Sequence, residues 1–265
     1  MGKYLLLGKL TFEEYFVYRL NFILWRLRAF LLIVVLYFFW QAAIPQGQTI
    51  FNYDQAKIIT YILGTSIVRS FVLSSRSVDV GGQIASGDLS NFLLKPINYL
   101  KLWFVRDMSD KILNLVFSVF EISLLFWLFK PPIIFQKNLY FLLFSLLAVG
   151  LGIILYFYIS FLLSSIAFWM PESVWPPRFV FQIILEFFAG GLFPLDILPA
   201  GVYSALKILP FPYLLFFPLN IYLGKLTFLE IFVGLGISSL WIIVVFQIVR
   251  YVFKVGVKNY AAWGR

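Results

Sequence analysis

Six stretches of the chain are almost wholly apolar, at about residues 29–44, 58–74, 112–129, 139–168, 179–193 and 228–249. A hydrocarbon core about 30 Å thick asks for roughly 20 such residues in a helix, so the first and fifth are short and the fourth has length to spare for tilt. Each predicts a helix, because lipid offers an unpaired backbone no alternative partner. Ahead of the first stretch the pattern changes. Thr11 and Glu14 make a capping box, and Phe12, Phe16, Leu20, Ile23 and Leu27 follow at spacings of four, four, three and four, one apolar stripe at helical period. Arg19 and Arg26 flank it while Glu14, Asn21 and Arg28 face away, which predicts an interfacial helix within residues 1–27, set against headgroups of membrane lipid.

Two connections exceed what a helical hairpin needs. The first, residues 75–110, is the sizeable segment between the second and third stretches and is neither low-complexity nor simply polar, so it should be folded. Within it, Gln83 to Ile97 reads as a short helix: Asp88 is placed to cap the first amides, Leu89, Phe92 and Leu93 share a face, Lys95 suits the negative end, and Pro96 stops it. The second, residues 194–227, carries Pro194, Pro199, Pro210, Pro212 and Pro218 among aromatics. It is apolar enough to enter the membrane and too proline-broken to cross it, which predicts short re-entrant or interfacial helices.

The composition agrees with one all-α integral membrane domain over residues 1–265: 62% hydrophobic and 12% charged, against about 45–50% and 25% in soluble domains. With no His and no Cys, zinc sites of the usual ligands, haem attachment, disulfides and histidine-assisted nucleophiles are excluded, and no catalytic, cofactor-binding or metal residue is expected. There is no phosphate-binding loop, so any nucleotide-driven step belongs to another chain. The net charge of +9 is topology rather than nucleic-acid binding. With an inside amino terminus, Lys57, Lys130, Lys137, Lys207 and Lys225 fall on the outer side and the other sixteen of the 21 basic residues on the inner side, which places both termini in the cytoplasm.

The stretch Gly87-Asp88-Leu89-Ser90-Asn91-Phe92-Leu93-Leu94-Lys95-Pro96 fits the pattern G-x-L-x-x-x-L-L-x-P. Together with Phe187 to Pro199, Leu209-Pro210-Phe211, Pro218 and the tail Val257 to Gly264, it resembles the membrane subunits of ATP-binding-cassette exporters of the ABC type-2 permease class, antibiotic and multidrug branch. The resemblance covers nearly the whole chain. It implies six transmembrane helices in the cell membrane, a coupling helix at Gly87 to Pro96 that docks on a cytosolic ATPase, and an outer lid of re-entrant helices. It also implies two ATPase subunits, which hold ATP and Mg, and a second permease subunit, either a copy of this chain or a sister protein. The chain departs from the commoner form in having the neutral Ile84-Ala85-Ser86 where Glu-Lys or Glu-Arg precedes the glycine.

Glu121 and Glu186 fall within apolar stretches, where a bare carboxylate costs a few kcal/mol or more. Each either lines an export path or gate, or holds helices together as a paired or protonated group. Gly190 and Gly191 before Pro194 are placed to break the fifth helix at the lid, as a gate or as a simple bend. Arg69 and Arg76 read as anchors that snorkel to the cytoplasm. An exporter subunit is the expectation; an ATP-independent carrier or a lipid-modifying enzyme is the alternative, the enzyme requiring Glu121 and Glu186 to meet.

Overall fold

The computed structural model describes residues 19–260, and among these the regular structure is helical. The long helices are α1 (Arg19–Ala43), α2 (Gln55–Val72), α5 (Tyr99–Phe129), α6 (Leu139–Ser164) and α10 (Phe228–Asn259). The short ones are α3 (Asp79–Ala85), α4 (Leu89–Leu93), α7 (Trp175–Phe188), α8 (Ala200–Leu206) and α9 (Phe216–Tyr222). Side-chain caps fix where several begin. Asp54 accepts from Lys57 N at 2.7 Å, Asn98 from Lys101 N and Asn138 from Tyr140 N at 2.9 Å each. Thr227 and Glu230 form a reciprocal capping box at the start of α10, so helix-end amides are satisfied where the chain enters the bundle.

Among the described residues, four helices are long and apolar enough to cross a membrane: α1 over Arg26–Ala43, α5, α6 with its following 3₁₀ turn to Phe168, and α10. A fifth crossing arises if α2 is joined to Arg76–Ala85, from which it is bent by 50°. The apolar stretch at 179–193 yields only the 14-residue α7, about 21 Å long at 1.5 Å per residue. Residues 1–18, which hold most of the expected interfacial helix, lie outside the described residues. From Arg19 onward the chain is already in α1, continuous with the first apolar stretch.

The third apolar stretch also extends further back than its hydrophobicity indicates. α5 starts at Tyr99, and its first turns are held by buried Leu102 and Trp103 and by the buried charges Asp107, Asp110 and Lys111. These charges are paired. Lys111 Nζ lies 3.2 Å from Asp107 and donates to Ser74 O, while the Arg76 amide donates to Asp107 at 2.9 Å. A buried charge is tolerable with partners of this kind, and here they tie the end of α2 to α5.

α2 is the centre of the bundle. Ile58, Ile59, Thr60, Tyr61, Ile62 and Leu63 are buried in succession, the pattern of a helix covered on all sides. It packs against α1, α5 and α6, and α6 in turn against α9 and α10. A smaller core cluster joins Ile33 and Tyr37 of α1 to Ile58, Ile59 and Leu63 of α2 and Leu125 of α5. The large exposed side chains of α1, α5 and α10, such as Phe39, Phe120 and Phe232, suit a lipid-facing surface.

Candidate functional site: the segment after α2 and the broken end of α7

The segment after α2 folds as two short helices. A break at Ser86–Asp88 divides them because Gly87 takes φ +85°, a conformation that costs side-chain-bearing residues about 1–2 kcal/mol. The expected cap by Asp88 does not form. Its own backbone is already helical and its carboxylate accepts instead from Ser86 Oγ at 2.6 Å, while Ser90 Oγ donates to Gly87 O at 2.8 Å. The expected apolar face is split by burial. Leu89 is fully buried and Phe92 packs on the core, whereas Leu93 is 43% and Leu94 86% exposed. The Lys95 amine lies 5.3 Å from the Phe92 ring centroid. Gln83, Asp88, Asn91, Phe92, Leu94 and Lys95 line an open groove of about 650 Å³, and Pro96 is exposed beside it.

Elsewhere in the bundle, α7 stops where Gly190 turns to φ +78°. Within the chain the Gly190 and Gly191 amides meet the last-turn carbonyls of Phe187 and Glu186, and the four carbonyls from the C-cap onward are met one by one from other elements. Phe216 N donates to Ala189 O at 3.0 Å, Tyr61 Oη to Gly190 O at 2.6 Å, Arg69 Nη2 to Gly191 O at 2.9 Å, and Trp40 Nε1 to Leu192 O at 3.1 Å. The two glycines are required by space as well as by dihedral angle. A Cβ on Gly190 would lie 2.6 Å from Tyr61 Oη, and one on Gly191 would lie 2.4 Å from Glu186 Oε2 and 2.8 Å from Arg69 Nη2.

Both carboxylates of the apolar stretches are paired. Arg69 Nη1 donates to Glu186 Oε1 at 2.8 Å, so one guanidinium holds the last turn of α7 and the residue beyond its break. Glu121 receives Arg26 Nε at 2.8 Å and Nη2 at 2.6 Å, and Arg26 also reaches Asn114 Oδ1 at 3.3 Å. Glu121 and Glu186 are thus claimed by different arginines on different helices. Beyond the break, Pro194 is buried and Asp196 is held by Tyr53 Oη at 2.9 Å and by the Lys225 amine. Burial pushes that amine below its usual pKa, against the pull of Asp196.

A family model described as an ABC-2 family transporter protein matches residues 30–264. The chain belongs to that family. No curated protein matches it at a significant level. In this ABC-2 permease, the residues that sequence reasoning singled out sit in two places: Gly87, Asp88, Leu89, Phe92, Leu93, Lys95 and Pro96 at one end, and Glu186, Gly190, Gly191 and Pro194 around the break. Glu121 stands apart from both. Arg69, Arg26, Tyr61 and Trp40 were missed as functional residues. The signal for the arginines was present, since carboxylates within apolar stretches demand cations; Arg69 is the basic residue inside the second stretch, and Arg26 and Arg28 lie just ahead of the first.

Proposed function

We propose that this ABC-2 family transport protein is the permease subunit of an ATP-driven exporter, moving a hydrophobic or amphipathic substrate out of the cytoplasm or the inner leaflet. In this reading Gly87 to Pro96, with α4 at its centre, is the coupling helix and the contact for a cytosolic ATPase. Two ATPase subunits supply ATP, Mg and hydrolysis, and a second permease subunit, self or sister, completes the path in the cell membrane with both termini cytoplasmic. α7 serves as a shortened fifth crossing whose outer half is completed by α8 and α9, giving six crossings with the bent α2.

The observation that carries the reading is the split face of α4. A five-residue helix that roots Leu89 in the core and leaves Leu93 and Leu94 bare beside a groove calls for a partner to cover them. The enzyme alternative loses support because it needs Glu121 and Glu186 together, and each is instead bound to its own arginine.

The test is purification of the chain from its native membrane in mild detergent, with mass spectrometry and an ATPase assay on what co-elutes. Recovery of an ATP-binding-cassette ATPase that is lost in Leu93→Asp, with the bundle still monodisperse, is the expected result. A chain that elutes alone, from membranes shown to retain such complexes, would overturn the proposal.

A further inference from the structure

We propose that Arg69 is a positioning residue that fixes the outer segment to α2, so that a tilt of α2 is passed directly to the break after α7. The exporter reading is needed only for the source of the tilt.

α7 has modest apolar attachment. Leu185 is its one buried residue, Phe181 and Phe188 meet the Phe211 ring, and Phe179, Val180, Ile183 and Phe187 are exposed. Polar straps at its two ends add to these contacts in deciding where it sits. Near the start, Arg178 donates to Ser160 Oγ at 2.8 Å and Ser164 Oγ at 3.2 Å of α6. Near the end, Glu186 is held by Arg69 of α2. Of the four donors that meet the carbonyls of the break, Arg69 is the charged one, and it also grips the helix turn before the break. A planar guanidinium offers two acceptors in different directions a fixed fork, which a lysine amine does not.

α2 is suited to carry motion to this point. Its far end runs through Ser74 and Ser75 into α3 and α4, and it is tied to α5 where Lys111 meets Ser74 O and Asp107 meets the Arg76 amide. Arg69 lies between that tie and Tyr61, whose hydroxyl holds the neighbouring carbonyl of Gly190. One element thus carries the tie at the start of the coupling segment and, from Arg69 little more than a turn before it and Tyr61 two turns further back, the donors to two consecutive carbonyls of the break. Physical continuity of this sort is a requirement for coupling, and the coupling itself is measurable.

The experiment uses Ala189→Cys in this naturally cysteine-free chain, in the complex reconstituted with its co-purified ATPase. Ala189 is fully buried at the break, so its labelling by a membrane-impermeant maleimide reads how well the break is held. Without ATP, Arg69→Met should raise the labelling rate at least fivefold, with Arg69→Lys between it and the parent. ATP should raise labelling in the parent, and this increment should vanish in Arg69→Met while ATPase turnover continues, which loss of packing alone would not produce. If Arg69→Met does not fold, Glu186→Gln, close to isosteric, takes its place with a smaller rise. Unchanged labelling in monodisperse Arg69→Met or Glu186→Gln would overturn the assignment. A parent that ignores ATP, with Arg69→Met still raising the basal rate, would support the positioning role and count against the ATP-driven reading.

Discussion

Arg26→Met takes the cation from a pair whose side chains are only 14% and 9% exposed, and leaves the Glu121 carboxylate between α1 and α5 without that partner. Removing one partner of a buried pair costs about 3–5 kcal/mol, whereas replacing both by apolar groups of similar volume is often neutral or stabilising. The same logic applies to Glu121→Met, which strands the guanidinium. At about 2–4 °C per kcal/mol for a chain near this size, each single variant should lose about 6–20 °C in melting temperature. The double variant should melt close to the parent. The measurement is tryptophan fluorescence against temperature in matched detergent and lipid, accompanied by transport in vesicles. A double variant as unstable as the two singles combined would refute the pairing argument. A stable double variant that no longer transports would move Glu121 from helix fastening to the export path.

Gly191→Ala must displace Glu186 or Arg69, because its Cβ would lie 2.4 Å from the carboxylate; overpacking costs about 1–3 kcal/mol, read as a lower melting temperature, while Gly236→Ala, with open space around it, should leave it unchanged. Gly87→Ala at φ +85° strains the turn by about 1–2 kcal/mol, so recovery of a co-purifying ATPase should fall while the bundle's melting temperature holds; equal recovery would remove the turn from the contact. Asp196→Asn weakens charge-assisted bonds from Tyr53 and Lys225 worth about 1.5–3 kcal/mol, and should speed amide exchange across residues 195–227 about tenfold or more, with no change expected around α3 and α4.

The helices and the family stretch were legible in the sequence because lipid leaves a long apolar run one backbone solution, and because Gly87, Leu89 and Pro96 each carry a local reason for their place. The length of α7 was not. Residues 179–193 read as one apolar run, but the glycines divide it, and only the donors waiting on α1, α2 and α9 make that break tolerable. Arg69 was misread for a related reason. Hydrophobicity ends at residue 74, which puts Arg69 near the inner end, yet helix resumes after a 50° bend and runs to Ala85. Counted along Gln55–Ala85, Arg69 is central. The two ion pairs join residues 95 and 117 apart in sequence, a separation across which no local pattern identifies a partner. Asp88 failed as a cap because Gly87, not Asp88, leaves the helical region, and a side chain on an already helical residue no longer faces the free amides.

The two paired glutamates differ in what surrounds them, and that difference assigns them. Glu121 is joined to Arg26 within α1 and α5, both unbroken on either side, so the pair can open only if two whole helices separate. Glu186 is joined to Arg69 one turn before Gly190, where φ +78° and the absence of a side chain leave the backbone able to rotate. The carbonyls there are met by tertiary donors rather than by a helical ladder, so they can be exchanged one at a time without unravelling an element. A charge pair at such a break is a joint, and one between continuous helices is a rivet. Glu186 is therefore the carboxylate whose substitution should change how residues 194–227 move, while Glu121 should govern whether the bundle assembles.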